Sequence, residues 1–307
     1  MDIPALFEKM LSLFCVLVAG FVCGKFGVMT EDTNRHFSRL VANLTNPMLM
    51  LSSVMTGERL MTNGEVLELT LVAAGCYAFL IATSFALPRL LRVAPQEKGL
   101  YRFMYIFSNL GYLGYPIIRA LFGAGAMFHM TIFVLVFQFV CWSYGAQIVG
   151  GGGRFRLSWS LLKRPSITGA LLAYGIYLSG IQFPPIVADV TATIGEVTSP
   201  LAMLIIGCAL AQCPLKAVFG RWQVYVLAAV KMLLVPTAAF FALRPFLQSE
   251  LLLGVTIVAL AMPVATNATI LSYEYHADEK LAASGVFLTT LLSVVTLPAL
   301  MLALFGG

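Results

Sequence analysis

Apolar runs of about 17 to 25 residues, parted by short polar breaks, recur along the whole 307-residue chain: 5–27, 36–56, 66–88, 100–122, 126–149, 165–181, 190–212, 219–245, 251–274 and 280–304. A helix rises 1.5 Å per residue, so about 20 apolar residues cross the hydrocarbon of a bilayer. The runs have that length and lack the short alternation of an outer-membrane barrel strand. The pattern therefore predicts an all-α polytopic membrane protein with ten transmembrane helices.

Two of these runs are interrupted from within. Residues 105–123, YIFSNLGYLGYPIIRALFG, hold Asn109, Gly111, Tyr112, Gly114 and Pro116 inside one apolar segment. Relative to alanine, glycine costs about 1 kcal/mol and proline about 3 kcal/mol in a helix interior. Broken backbone at membrane depth persists only where protein or a water-filled cavity satisfies its polar groups. The fourth helix is thus predicted to be discontinuous and to line a site. Residues 261–275, AMPVATNATILSYEY, place Pro263 and Asn267 in the ninth helix in the same manner.

The two breaks are related by a shift of 153 residues, which also lays Thr45-Asn46-Pro47 on Thr198-Ser199-Pro200, Gly27 on Gly180 and Ala124 on Ala277. The longest connector, GGGGRFRLSWSLLKRP, lies almost at the midpoint. These features divide the chain into a first five-helix repeat (1–149), a cytoplasmic connector (150–164) and a second repeat (165–307). Five is an odd number of crossings, so the second repeat enters the membrane from the opposite side: an inverted repeat.

Composition and charge narrow this picture. The chain is 60% hydrophobic and only 11% charged, with a mean hydropathy of +0.90, which excludes a soluble domain of this size. With the N-terminus outside, the inner loops hold 14 of the 19 Lys and Arg residues and the outer loops 4. That asymmetry places both termini outside. Neither a basic face nor a soluble module offers a footing for nucleic acid. Six scattered cysteines form no C-x-x-C pair and read as reduced packing residues. Asp2 and Glu8 offset Lys9, and no cleavage pattern follows the first apolar run, so the first helix is expected to be retained. His36, His129 and His276 make no metal pattern, and hydrolase and P-loop motifs are absent, so no catalytic residue, metal or cofactor is expected.

Candidate chemistry gathers at the breaks. Pro116 and Pro263 each precede a run able to start a fresh half-helix, whose N-terminus carries unpaired N–H groups and about half a positive charge. Two such ends meeting near the midplane suit an anion, most simply a carboxylate. Asn109 and Asn267 would flank it or satisfy carbonyls freed by the breaks; Asn46, before Pro47, is a further lining candidate. Lys231 lies ten residues beyond Arg221, near mid-depth, where a lysine costs about 2.5–3.5 kcal/mol and is a functional candidate by default. Three roles stay open for it: attracting a substrate anion, standing in for a coupling cation, or a structural pair with Glu196. Arg119 reads as an exposed end residue at the outer mouth.

The segments FSNLGYLGYPIIRALFG, KMLLVPTAAFFA and AMPVATNATILSYEYHADEKLAASGVFLTTLLSVVTLPAL, with NLTNPMLMLSSV near the start, resemble the auxin efflux carrier family in its short bacterial form. The resemblance spans nearly the whole chain and is most specific in N-x-G-x-x-G-x-P and M-P-x-A-x-N. It implies a fold similar to the bile-acid symporters, with broken helices 4 and 9 crossing over an organic-anion site, and a homodimer. Asn109, Gly111, Pro116, Pro263 and Asn267 fall on that crossing. Only about 16 residues stand where plant members carry a large cytosolic insert, so loop phosphorylation does not transfer. Nor does auxin as substrate, since bacterial relatives are associated with malonate and other small carboxylates.

The expectation is a secondary transporter of small organic anions in the bacterial cytoplasmic (inner) membrane. It would work by elevator-type movement of the crossing bundle against helices 1, 2, 6 and 7, with a proton or sodium as possible coupling ion. An anion channel and a non-transporting membrane sensor are the alternatives; a continuous pore would mark the first and an appended soluble domain the second.

Overall fold

The computed structural model describes residues 3–55, 61–152, 155, 162–212 and 219–306. Among these the chain is helical throughout. Twelve helices follow one another: α1 (Ile3–Lys25), α2 (31–55), α3 (Asn63–Leu90), α4 (Lys98–Ile106), α5 (110–122), α6 (Ala124–Val149), α7 (Pro165–Ser179), α8 (Pro185–Ala211), α9 (Trp222–Leu243), α10 (Glu250–Ala261), α11 (Asn267–Glu274) and α12 (Glu279–Phe305). Six of them, α1, α3, α6, α8, α9 and α12, are long and apolar enough to cross a membrane. The two interrupted runs appear as the helix pairs α4/α5 and α10/α11. Residues 153–154 and 156–161 of the connector, and Cys213, lie outside the described residues.

Four helices contain one widened π turn: Val41–Thr45 in α2, Leu110–Gly114 in α5, Cys141–Gly145 in α6 and Val230–Leu234 in α9. Three of these turns end two residues before a proline, namely Pro47, Pro116 and Pro236. A proline in a helix removes an N–H and drives its ring against the carbonyl four residues back. One extra residue in the preceding turn moves that carbonyl aside, so the helix continues through the proline instead of stopping.

The chain divides into two compact units, each drawing on both halves of the sequence. The first comprises Met1–Ala73, Leu110–Gln138 and Trp159–Gln212. In it α1 lies along α8, and α2 packs against α7 and α8. Small residues permit the α1–α8 approach: a Cβ added at Gly207 would stand 2.0 Å from the Leu17 carbonyl oxygen and 2.6 Å from the Phe21 nitrogen, both backbone atoms that cannot yield. Gly207→Val should therefore lower the melting temperature and the yield of monodisperse protein, by an overpacking cost of about 1–3 kcal/mol or more. Wild-type melting behaviour in the variant would show that the two helices have room to part.

In this unit Gly27 and Gly180, the residues matched by the 153-residue shift, both adopt left-handed backbone, with φ of 72° and 68°. Gly180 ends α7 by donating its N–H to the carbonyls of Ile176 and Tyr177, and Gly27 follows the end of α1. Both glycines thus have a positive φ, a backbone region that glycine adopts without a steric penalty.

The second unit comprises Ala74–Asn109, Phe139–Ser158 and Cys213–Gly307, so it holds most of α3, all of α4, the end of α6 and α9 to α12. Arg221, just ahead of α9, donates to Glu97 and to Asp278, each at 2.7 Å. Asp278 also caps α12 by accepting from the Leu281 N–H at 2.9 Å. One guanidinium thereby ties together the starts of α4, α9 and α12. The five described cysteines are free thiols.

Candidate functional site

The second unit contains the crossing of the two breaks. After α4 ends at Ile106 the chain runs extended through Phe107, Ser108 and Asn109; after α10 ends at Ala261 it runs irregularly from Met262 to Thr266. These stretches pair antiparallel. The Asn109 N–H donates to the Pro263 carbonyl at 2.8 Å, and the Ala265 N–H donates to the Phe107 carbonyl at 3.0 Å, with Ser108 opposite Val264. The remaining N–H of Val264 is taken by the Thr289 hydroxyl of α12 at 3.0 Å. Each break therefore satisfies much of the backbone the other exposes, as apolar surroundings require. Proline at 263 suits this place because it presents a carbonyl and has no N–H to satisfy.

Lys231 sits in the widened turn of α9 and is 2% exposed. Its Nζ donates to the Tyr105 carbonyl at 2.9 Å, at the C-terminal end of α4, where freed carbonyls concentrate negative potential. Among the described residues no carboxylate pairs with it. Glu196, considered as its partner from the sequence, instead accepts from Arg119 at 2.7 Å within the first unit, and both of those side chains are about half exposed. The structural-pair role for Lys231 is therefore replaced by a lone buried amine on a helix end. Arg119, expected to be an exposed end residue, is about half exposed and also takes part in the ion pair with Glu196.

Two amide side chains stand at the same crossing. Asn109 is 3% exposed, and its Nδ2 has no hydrogen-bond partner. Asn267 is half-buried at the first turn of α11, and its Nδ2 has the Cys141 sulfur at 3.9 Å, a weak acceptor. Of these amides and Lys231, Asn109 Nδ2 is a buried donor with no acceptor, while Lys231 and Asn267 each have one. A buried donor in the condition of Asn109 is costly unless something accepts from it.

The other residues singled out from the sequence fall in the first unit. Asn46, 3% exposed, faces Gly111: a Cβ there would stand 3.5 Å from Asn46 Oδ1, which has no partner. Tyr112 is half-buried, and Gly114 is covered by the Met130 side chain. Pro116 lines a cavity of about 480 Å³ with Tyr115, Arg119, Glu196, Ser199 and Lys9. Behind it, buried hydroxyls form a chain in which Tyr115 meets Thr131 at 2.9 Å and Thr131 meets Ser53 at 2.8 Å.

One sequence expectation is corrected in detail. The second half of the fourth helix does not begin at Pro116; it resumes at Leu110 and runs through the proline to Phe122. The widened turn Leu110–Gly114 removes the clash that would have forced a fresh start. Residues with no local signal also enter the site: Thr289 is an ordinary hydroxyl within the 27-residue α12, and Tyr105 contributes only its carbonyl.

Comparison with known proteins gives this geometry its context. The family model described as membrane transport protein matches residues 5–158 and 154–301. The chain belongs to that family, the auxin efflux carriers. It is accordingly a membrane transporter and not an enzyme, and the two-part match points to a repeat. An uncharacterized transporter of Methanocaldococcus jannaschii is 24% identical, with 97% of each chain covered. One from Methanothermobacter thermautotrophicus is 25% identical over 95% of this chain and 96% of its own. The uncharacterized transporter YfdV of Escherichia coli is 22% identical, with 94% of each covered.

Proposed function

We propose that this transporter moves small organic carboxylates, of malonate-like or auxin-like kind, by elevator-type alternating access in the cytoplasmic membrane. One observation carries the reading: at the crossing of two opposed breaks, the buried Asn109 Nδ2 has no acceptor, Asn267 Nδ2 has only a thiol sulfur, and Lys231 has a backbone carbonyl but no carboxylate among the described residues. An organic anion supplies those acceptors and the missing counter-charge.

The ten-span, inverted-repeat reading counts α4/α5 and α10/α11 as one broken crossing each and adds α2 and α7 to the six long helices. It is supported by the two-part family match and by the positive φ of both Gly27 and Gly180. In this reading residues 1–149 and 165–307 are the repeats, and the excess of inner Lys and Arg sets both termini outside. The scaffold role falls to α1, α2, α7 and α8, which share the first compact unit. Asn46, Gly111, Tyr112, Gly114 and Pro116 are then substrate-facing residues of the first unit. A homodimer comes from the family resemblance alone.

The test is a thermal-shift screen of purified protein against small carboxylates, followed by flux of the hits into proteoliposomes. Stabilisation by at least one carboxylate and its saturable uptake are expected. If no carboxylate shifts the melting curve, the anion reading fails.

A further inference from the structure

We propose that the end of α3 and the start of α4 hold the phosphate of an anionic phospholipid, drawn from the leaflet on the side of the Lys- and Arg-rich loops. The ligand differs from the one at the crossing, and the proposal stands independently of the carboxylate reading.

Between Glu68 and Asp189 the sequence has a single carboxylate, Glu97, and around it lie Arg89, Arg92, Lys98 and Arg102. Glu97 is already engaged by Arg221 at 2.7 Å. None of the four cations has an ion-pair partner among the described residues. Helix ends do not neutralise them evenly. Arg89 complements the partial negative charge at the end of α3. Lys98 and Arg102 instead lie in the first turns of α4, where the helix end is itself partially positive and no acidic residue stands in the first turn.

Arg102 separates this patch from a set of solvated surface charges. Its guanidinium is half-buried and fixed: Nε donates to Ser84 Oγ at 3.1 Å and Nη2 to the Tyr144 hydroxyl, and both of those residues are buried. The same guanidinium lies over the Phe85 ring, 3.6 Å from its centre, and that of Arg89 lies 5.7 Å from the same centre. Two guanidinium groups share one aromatic ring with no carboxylate between them. A guanidinium carries five N–H donors, so Arg102 keeps donors for a ligand after these two bonds. Planar guanidinium groups grip phosphate oxygens through paired N–H bonds.

The surroundings of the ring select a lipid over a soluble anion. Phe85 is exposed, as are Phe79 and Leu90 on the same helix, and α3 is among the least covered of the long apolar helices. Apolar side chains left uncovered on a spanning helix border hydrocarbon. A phospholipid brings both parts, a phosphate for Arg102 and Arg89 and acyl chains for the uncovered length of α3.

Full-length protein purified in detergent is titrated with phosphatidylglycerol and with phosphatidylcholine of the same acyl chains, and bound lipid is counted by native mass spectrometry. Phosphatidylglycerol should bind about ten-fold more tightly or better. Arg89→Gln removes an exposed side chain that bonds only a carbonyl of its own helix, so the fold should persist. It should weaken phosphatidylglycerol roughly five-fold, and Arg102→Gln should weaken it about ten-fold or more, with phosphatidylcholine unchanged in both. Arg244 is also exposed and lies 5.3 Å from the centre of a phenylalanine ring, that of Phe240, so Arg244→Gln is the matched control and should bind as wild type. Inorganic phosphate at millimolar concentration should not displace the lipid. Headgroup preference lost alike in all three variants, or kept in all three, overturns the proposal. Displacement by inorganic phosphate overturns it too, by making the site one for a soluble anion. If Arg102→Gln yields no folded protein, Arg89→Gln decides alone.

Discussion

Lys231→Met is expected to weaken carboxylate binding by roughly 30-fold or more while leaving the protein at least as stable. Methionine keeps the length and flexibility of the side chain and removes its charge. Truncating one partner of a buried charge pair costs about 2–5 kcal/mol, so the dissociation constant should rise by roughly 30-fold to several thousand-fold. Stability responds with opposite signs. The Tyr105 carbonyl loses its donor, a cost of about 1–3 kcal/mol. Against that, a lysine with no counter-ion leaves the membrane interior, a gain of about 2.5–3.5 kcal/mol. The two nearly cancel or favour the variant, so the melting temperature of ligand-free protein should hold or rise. Titration calorimetry and differential scanning fluorimetry on the same preparation separate the effects. A variant that melts far below wild type would make the lysine a structural post at the end of α4, and unchanged affinity would remove it from the ligand site. Lys231→Arg should recover only part of the affinity, because the planar guanidinium does not replace a compact ammonium in a closed turn.

The second large effect is expected from Asn109→Asp. The two side chains are nearly the same size, so the extended pairing of residues 107–109 with 263–265 should persist, since it uses backbone groups only. What changes is the unpartnered Nδ2, replaced by an oxygen that cannot donate when ionised. An ionised aspartate also adds a negative charge at the break, which repels a carboxylate substrate. A fall in affinity of about a hundred-fold or more is expected, from a lost charge-assisted hydrogen bond of about 1.5–3 kcal/mol with added repulsion. Proteoliposome uptake should fall with it, while size-exclusion profiles stay as in wild type. Full uptake by this variant would mean that Asn109 serves the backbone of the break and not the ligand. Asn109→Ala provides the control, losing the donor without adding a charge, and should bind with intermediate affinity.

Much of the architecture was legible along the chain because membrane insertion constrains local sequence so tightly. The apolar runs appear as helices within a few residues of where hydropathy places them. The proline and asparagine cluster in residues 105–123 and its partner in 261–275 marked the two breaks. Backbone breaks in hydrocarbon are expensive, so the residues that permit them stand out against a monotonous background. The placing of Lys231 inside an apolar helix was legible for the same reason, and its side chain is buried there.

Local pattern misjudged what a proline does when the turn before it can widen. Pro116 reads as a helix start, yet the helix begins six residues earlier, at Leu110. The spacing is the same at Pro47 and Pro236: a five-residue π turn ending two residues before the proline. Side-chain partners were equally hidden. Nothing in the linear order distinguishes Glu196 as the partner of Arg119 from Glu196 as the partner of Lys231; 77 residues separate the first pair.

By itself the sequence determined an all-helical membrane protein, the positions of its interruptions and the sign of its buried charge. Each of these follows from the cost of exposing backbone or charge to hydrocarbon, which acts residue by residue. Tertiary structure alone decided that residues 107–109 pair with 263–265, and that Lys231 closes the end of α4 without a carboxylate. Those outcomes depend on which distant groups meet, and pairing of that kind leaves no local trace. The break that first marks residues 105–123 as a damaged helix is satisfied by another break more than 150 positions away.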